Sequence, residues 1–144
     1  MAHDERIMNY GRRYWYPHLK PADIAIWERF IDKFPTAYDL VEYDTPVGKI
    51  PEFVSEHDDP AIQAQGTLYQ RKIDVIGYKG EAIDIIELKP RASSSAIGQV
   101  NGYRFLYMRD VSKGLKVGAV ILTDELLPEM EELAAAADVK IIAV

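Results

Sequence analysis

The chain has 144 residues, 48% of them hydrophobic, which is enough to bury the core of one compact domain without cross-links. It has no cysteine and no apolar window of bilayer-spanning length, which excludes disulfide bonds, thiolate-bound zinc and a membrane partner. Its formal net charge of -6 argues against a protein that holds nucleic acid through an overall basic excess.

The first twenty residues are predicted to form an N-terminal arm, separate from a domain spanning residues 21–144. The arm contains "YGRRYWYPHLK", in which two adjacent arginines stand among tyrosine and tryptophan residues. This composition suits stacking on exposed bases, and it equally suits docking on another chain. We favour docking, either on a second copy in a homodimer or on another protein.

The domain begins with a predicted amphipathic helix in "PADIAIWERFIDKF", and Pro35 marks its end. The apolar residues at helical spacing are Ile24, Trp27, Ile31 and Phe34. Residues 37–54 then read as one or two short strands, and residues 55–66 read as a surface loop rich in turn formers.

Two apolar runs, "LYQRKIDVIGY" and "AIDIIELK", form the strongest predicted hairpin of the chain. If Gly80 and Glu81 make a two-residue turn with glycine first, Lys79 pairs with Ala82. In this register Asp74 lies directly opposite Glu87. A turn of another length would shift the pairing by one residue.

A second helix is predicted after the hairpin, with Ser94 or Ser95 as its N-cap. Its apolar stripe consists of Ala96, Val100, Tyr103 and Tyr107. Then follow a strand in "KVGAVILT", a helix in "ELLPEMEELAAAA" and a strand in "VKIIAV". The alternation of strand and helix implies parallel pairing, so we expect an α/β protein with a mixed sheet flanked by helices on both faces.

Glu87 and Lys89 point to the same face of their strand because side chains alternate along a strand. With Asp74 opposite, the Cβ atoms of the two acids would lie roughly 5 Å apart. Two carboxylates at this separation repel each other, and a Mg²⁺ ion with its oxygen ligands would relieve the repulsion. The simpler alternative is that Lys89 only pairs with one acid at the end of the strand.

Asp74, followed after twelve residues by Glu87-Leu88-Lys89, resembles the signature of the PD-(D/E)XK nuclease superfamily, with Ile73 in place of the usual proline. Gln99 and Tyr103 resemble the Gln-x-x-x-Tyr helix of the RecB-like branch. Glu28 resembles the first-helix acid that this branch shares with archaeal Holliday-junction resolvases. The predicted element order also resembles the restriction-endonuclease-like core, αβββαβ, here with an added C-terminal αβ unit.

The resemblance implies a Mg²⁺-dependent deoxyribonuclease in which Mn²⁺ can replace Mg²⁺. The metal ligands that it implies are Asp74, Glu87, the Leu88 carbonyl and Glu28. The catalytic residues that it implies are Asp74, Glu87, Lys89 and Gln99. Such nucleases act in DNA repair or recombination, or in viral DNA processing, so we expect a cytoplasmic or, if viral, virion-associated protein.

DNA contacts are expected from the middle of the chain, where residues 60–116 carry nine Lys or Arg against five Asp or Glu. The candidates are Arg71, Lys72, Arg91, Arg104 and Tyr103. All four basic residues could instead be ordinary solvated charges, and Tyr103 could be a core residue. Two other functions stay open: a structural or DNA-binding component of a larger nucleoprotein or virus-particle assembly, and a phosphate-binding module without hydrolysis.

Overall fold

The computed structural model describes residues 6–113 and 115–144, which form a six-stranded mixed sheet with helices on both faces. The strands lie side by side in chain order: β1 (Ile7–Asn9), β2 (Leu40–Val47), β3 (Arg71–Lys79), β4 (Ala82–Ala92), β5 (Gly118–Leu126) and β6 (Lys140–Ala143). The α-helices are α1 (Pro21–Lys33), α2 (Glu52–Ser55), α3 (Pro60–Gln63), α4 (Ser94–Tyr107) and α5 (Met130–Ala136). The α/β class predicted from the sequence is confirmed.

Strands β1 to β4 pair antiparallel, whereas β4, β5 and β6 pair parallel. The change of direction follows from the connections, because α4 and α5 each carry the chain back across the sheet. The β3–β4 hairpin has the predicted turn: Lys79 pairs with Ala82, and Gly80 has a φ of +57°. A glycine tolerates this left-handed conformation without the clash that a Cβ would cause.

One face of the sheet is covered by α1, which buries Trp27 and Phe30 against Ile86 and Leu88. The indole nitrogen of Trp27 donates a hydrogen bond of 2.9 Å to the hydroxyl of buried Tyr43, so this large side chain leaves no polar atom unsatisfied. Because helices cover both faces, the strands between them read as nearly continuous apolar runs.

The opposite face is covered by α4 and α5. The predicted α4 stripe is confirmed, since all four of its residues are buried: Ala96, Val100, Tyr103 and Tyr107. The helix begins one residue earlier than an N-cap at Ser94 would place it, with Ser93 as the N-cap. None of the helices within the described residues is long and apolar enough to cross a membrane.

The connection between β2 and β3 differs from the predicted loop, because it contains α2, α3 and a 3₁₀ turn at Gly66–Tyr69. The local chemistry explains α3: Asp59 is the N-cap and accepts a hydrogen bond of 2.9 Å from the Ala61 amide, while Pro60 begins the helix. The turn formers that suggested a loop therefore cap short helices.

Much of the predicted N-terminal arm packs on the domain, although its residues 1–5 lie outside the described residues. Strand β1 extends the sheet edge beyond β2, and Tyr16 is only 3% exposed. The ring of Tyr10 contacts that of Trp27 edge-on, with 5.8 Å between their centroids. Residues 12–15 are exposed, including the large aromatic side chains of Tyr14 and Trp15.

Candidate metal and phosphate site

The candidate site lies where β3 and β4 separate. Their regular pairing ends at Val75 and Ile86, and continuing this register by one residue sets Asp74 opposite Glu87. At this point the amide of Leu88 donates a hydrogen bond of 3.1 Å to Asp74 Oδ2. A carboxylate therefore takes a place that a backbone carbonyl would take in an uninterrupted ladder, and this contact fixes the Asp74 side chain beside β4.

Glu87 is buried in an environment that disfavours its charge. Glu87 is only 3% exposed, and its Oε2 atom is buried with no hydrogen-bond partner among the described residues. Burial raises the pKa of Glu87 above its usual range, and the charge of Asp74 raises it further. Burial is also the main cause that raises the pKa of Asp74. Native proteins rarely leave such an oxygen unsatisfied, so the pair is suited to an added cation.

Lys89 supplies positive charge at the same strand end. Its Nζ lies 3.8 Å from Glu87 Oε1, and its side chain is 41% exposed. The lysine therefore contacts the buried acid while its ammonium stays accessible to solvent, where a ligand could reach it. This geometry also agrees with the simpler interpretation of a strand-end ion pair.

The strand end that holds Lys89 is stabilised by buried Thr123 of β5. Pro90 has no amide hydrogen and interrupts the β4–β5 ladder. The Thr123 hydroxyl donates to the Pro90 carbonyl at 3.1 Å and accepts from the Ala92 amide at 3.3 Å. A side chain thus replaces the missing ladder contacts and keeps β4 paired beyond the site.

Asp23 is the acid of α1 whose charge acts on the site, and it was not among the residues predicted from the sequence. The charge of Asp23 raises the pKa of both Asp74 and Glu87, and Lys89 acts on Asp23 in turn. Asp23 precedes Ile26 and Trp27 by three and four residues, so it shares the buried face of the helix. That spacing was visible in the sequence.

Glu28, which we expected at the metal, faces a different neighbourhood. Its Oε2 accepts a hydrogen bond of 2.8 Å from the Tyr16 hydroxyl, and its Oε1 lies 3.5 Å from Arg12 Nη1. Of the predicted apolar stripe of α1, Trp27 and Ile31 are buried, whereas Ile24 and Phe34 are more exposed than Ile26. The geometry therefore does not support Glu28 as a metal ligand.

The α4 residues of the predicted motif contact each other. Gln99 Nε2 donates a hydrogen bond of 2.8 Å to the Tyr103 hydroxyl, and this is the only side-chain partner of Gln99 among the described residues. Tyr103 is 7% exposed, and its ring belongs to the core beneath α4. Its burial does not support the expected contact with DNA, whereas a role for Gln99 stays a prediction.

Arg104 has a structural role in place of the expected phosphate contact. Its guanidinium donates to the Asp138 carbonyl at 2.7 Å and to the Ala137 carbonyl at 3.0 Å, just past the end of α5. These are carbonyls that the end of a helix leaves unpaired. The Arg104 side chain is only 11% exposed, so most of its surface is used in these contacts, and a contact with DNA stays a prediction.

The other expected DNA contacts are at the surface. Arg91 pairs with Glu125 across β4 and β5, with 3.1 Å between Nε and Oε2. Lys72 donates to the Thr67 carbonyl. Arg71 is exposed at the start of β3. Their contacts with DNA stay predictions.

Asp74 and Glu87 could hold a hard divalent ion, although no group of three or more acidic or histidine side chains in residues 6–113 and 115–144 is arranged for metal binding. Two carboxylates and a buried oxygen without a partner fit Mg²⁺, because this ion usually keeps several waters and takes one or two protein carboxylates. The amide of Leu88 contacts Asp74. The expected role of the Leu88 carbonyl as a third metal ligand stays a prediction.

Comparison with known proteins finds no matching family model and no matching curated protein. Two solved structures share the fold with a TM-score of 0.51 each: a complex of EndoMS with double-stranded DNA, at 15% identity, and a repair endonuclease from Pyrococcus abyssi, at 18% identity. The alignments cover 93% of this chain, but only 48% and 49% of the neighbours. The chain thus spans about half the length of each, and the likeness establishes the fold alone.

Proposed function

We propose that this chain is a metal-dependent deoxyribonuclease that hydrolyses phosphodiester bonds at the end of the β3–β4 hairpin. The observation that carries the proposal is the buried carboxyl pair of Asp74 and Glu87, with Lys89 Nζ 3.8 Å from Glu87. Without a ligand at this position, a buried acid that is only partly paired would destabilise the folded protein. A divalent cation would satisfy both acids together.

In this proposal Asp74 and Glu87 hold Mg²⁺, or Mn²⁺ in its place. A bound divalent ion polarises a phosphoryl oxygen and acidifies a bound water. Lys89 stabilises the negative charge that develops on the phosphate and orients the attacking water, since its ammonium lies beside Glu87 and is open to solvent. The hydrogen bond from the Leu88 amide keeps Asp74 in place.

The fold neighbours support DNA as the substrate. One of them is a complex with double-stranded DNA and the other is named a repair endonuclease. The net charge of -6 argues that the chain alone holds DNA weakly. Since the chain spans half of each neighbour, a second copy or a partner protein would add binding surface. Assignment to the RecB-like or resolvase branch belongs to this proposal.

The test is cleavage of linear duplex, single-stranded and branched DNA in Mg²⁺, Mn²⁺ and Ca²⁺. We expect cutting in Mg²⁺ and Mn²⁺ that disappears in Lys89→Ala and in Glu87→Ala. Lys79→Ala is the matched control, because it removes a lysine from the same hairpin at its turn, where Lys79 pairs with exposed Asp39. Folding of each variant is checked by circular dichroism and thermal unfolding.

Metal binding gives a second readout that does not depend on activity. Mn²⁺ should raise the midpoint of thermal unfolding of the wild-type protein and leave that of Glu87→Ala unchanged. A folded protein that cuts none of the DNA forms, and whose unfolding midpoint does not respond to either metal, would refute the proposal.

A second candidate is a DNA-binding or structural component of an assembly, and the exposure of Tyr14 and Trp15 favours it. Large aromatic side chains at the surface are enriched at protein interfaces. This candidate predicts that the wild-type protein leaves DNA intact in Mg²⁺ and Mn²⁺. Binding of DNA in Ca²⁺ without cleavage in Mg²⁺ would favour the phosphate-binding module.

A further inference from the structure

A second basic site lies on the surface between the β2–β3 connection and the end of α4. It is a hollow of about 450 Å³, here named the basic hollow. Three basic side chains line it together with polar and aromatic neighbours: Lys49, Arg71, Arg109, Gln70 and Tyr69. None of these residues contributes to the site around Asp74.

The basic hollow carries a net positive charge. Arg109 forms two hydrogen bonds with Asp110, of 2.6 and 2.8 Å, so these two charges largely cancel. Arg71 has no ion-pair partner among the described residues, and Lys49 has none either. The Arg109 contact is the main cause that lowers the pKa of Asp110, and Lys49 adds to the effect, so Lys49 lies near this pair. Two cations are thus left to attract an anion.

The wall of the hollow is held in a fixed conformation. Gln70 Nε2 donates a hydrogen bond of 2.7 Å to the Gly48 carbonyl and ties the β2–β3 connection to the start of β3. Gly48 has a φ of +84°, which other residues rarely adopt. The backbone that presents Lys49 is therefore positioned beside Arg71 before any ligand arrives, which lowers the entropy cost of binding.

The hollow and the Asp74 site lie on the same strand. Arg71 begins β3, and Asp74 follows three residues later. A strand rises about 3.3 Å per residue, so the two positions are roughly 10 Å apart along β3. One strand of DNA carries a phosphate about every 3.4 Å along the helix axis. Successive phosphates of one strand lie farther apart than this axial rise, because the backbone winds around the axis. A strand with its scissile phosphate at Asp74 therefore places another phosphate, within about three nucleotides of the cut, near the hollow.

We propose that the basic hollow binds a backbone phosphate of the DNA strand that is cut at Asp74 and Glu87, within about three nucleotides of the scissile bond. This inference rests on the proposed function and adds where the substrate strand runs. Lys49 and Arg71 bind the phosphate oxygens, and Arg109, already paired with Asp110, forms the wall. The substrate must therefore extend past the cut on one side, as far as the phosphate that the hollow binds.

The first experiment compares Arg71→Ala and the double variant Lys49→Ala/Arg71→Ala with Lys79→Ala. Lys79 lies at the opposite end of β3, so the control removes one positive charge from the same strand. DNA binding is measured in Ca²⁺ across a salt series, and KM in Mg²⁺. We expect the double variant to bind about tenfold more weakly, and the slope of log affinity against log salt to fall by about 1 to 2. The control keeps the wild-type slope.

The second experiment shortens the DNA on either side of the mapped cut. The wild-type kcat/KM should fall once the DNA on one side is too short to include the phosphate bound in the hollow, and the double variant should not respond to this shortening. Equal salt slopes in the double variant and the control, or an equal response to shortening, would overturn the inference.

The two proposals fail in different ways. If the wild-type protein cuts DNA and the double variant binds DNA with unchanged affinity, the proposed role of the basic hollow is refuted and the proposed nuclease activity is supported. If the protein does not cut DNA, the proposed nuclease activity is refuted. The slope of log affinity against log salt, measured in Ca²⁺, then decides whether the hollow binds DNA. A protein that neither cuts nor binds DNA refutes both. Thermal unfolding confirms that each variant is folded.

Discussion

Replacing Glu87 by glutamine should stabilise the metal-free protein at neutral and basic pH while abolishing its response to metal. Two carboxylates whose Cβ atoms lie about 5 Å apart, as for opposed strand residues, repel each other by roughly 3 kcal/mol at an effective dielectric constant of about 20. The buried and unpartnered Oε2 adds the extra desolvation cost of a charge, which a neutral glutamine amide does not have. Against this, the variant loses the attraction of Lys89, which is 41% exposed and therefore contributes only about 0–1 kcal/mol. Repulsion and desolvation dominate, so we expect a net gain of about 2–4 kcal/mol.

The sign of the pH dependence follows from the raised pKa of Glu87. In the folded protein this carboxyl keeps its proton to higher pH than in the unfolded chain, where its pKa is about 4.3. Between the unfolded and the folded pKa the unfolded chain binds fewer protons, so wild-type stability falls as pH rises through this window. Below the window the carboxyl is protonated in both states, and the advantage of the variant disappears.

The assay is urea unfolding in the presence of EDTA at pH 4.5 and pH 8, with the wild-type protein and Glu87→Gln in parallel. The difference in unfolding free energy should be small at the lower pH and about 2–4 kcal/mol at the higher. Added Mn²⁺ should then stabilise only the wild-type protein. A variant that is less stable than wild type at pH 8 would refute the reasoning that the acid is buried at an energetic cost.

Three further predictions concern other parts of the chain. Asp23→Asn should shift the Mn²⁺ dependence of thermal unfolding by about 10–100-fold in metal concentration, whereas Glu28→Gln should not shift it; equal shifts would remove the distinction between the two acids. Arg104→Ala should lower the unfolding free energy by about 1–3 kcal/mol, because carbonyls past the end of α5 lose their donor; a neutral result in urea unfolding would contradict this role. Gly77→Ala should cost about 1–3 kcal/mol, since its Cβ would lie 2.5 Å from the ring of Tyr38, and unchanged stability would show that this ring moves freely.

The hairpin could be predicted because its determinants are local. A glycine that tolerates φ of +57° fixes the turn, and the turn fixes every pair of the β3–β4 register up to Val75 and Ile86. The strand and helix order that follows could also be read from the pattern of apolar residues. At α1 the pattern was half right, because Trp27 and Ile31 are buried while Ile24 and Phe34 are more exposed than Phe30. Glu28 was proposed from the family resemblance, and the position of Asp23 on the helix did not enter that choice.

Other parts of the site depend on contacts between distant segments. Arg104 contacts carbonyls 33 and 34 residues away, and nothing near it in the sequence marks the end of α5 as its partner. The basic hollow likewise joins Lys49 to Arg109, which lie on separate elements. Arrangements of this kind arise from packing, so a pattern of single residues does not predict them.

The order of the strands in the sheet has a consequence for folding. Every strand pairs with its predecessor in the chain, and a turn of two residues brings Asp74 and Glu87 together. A hairpin forms within about 1–10 μs, far sooner than pairings that must close long loops. The two acids therefore repel each other from an early stage of folding, and a divalent ion in solution could assist the chain before α5 and β6 have docked.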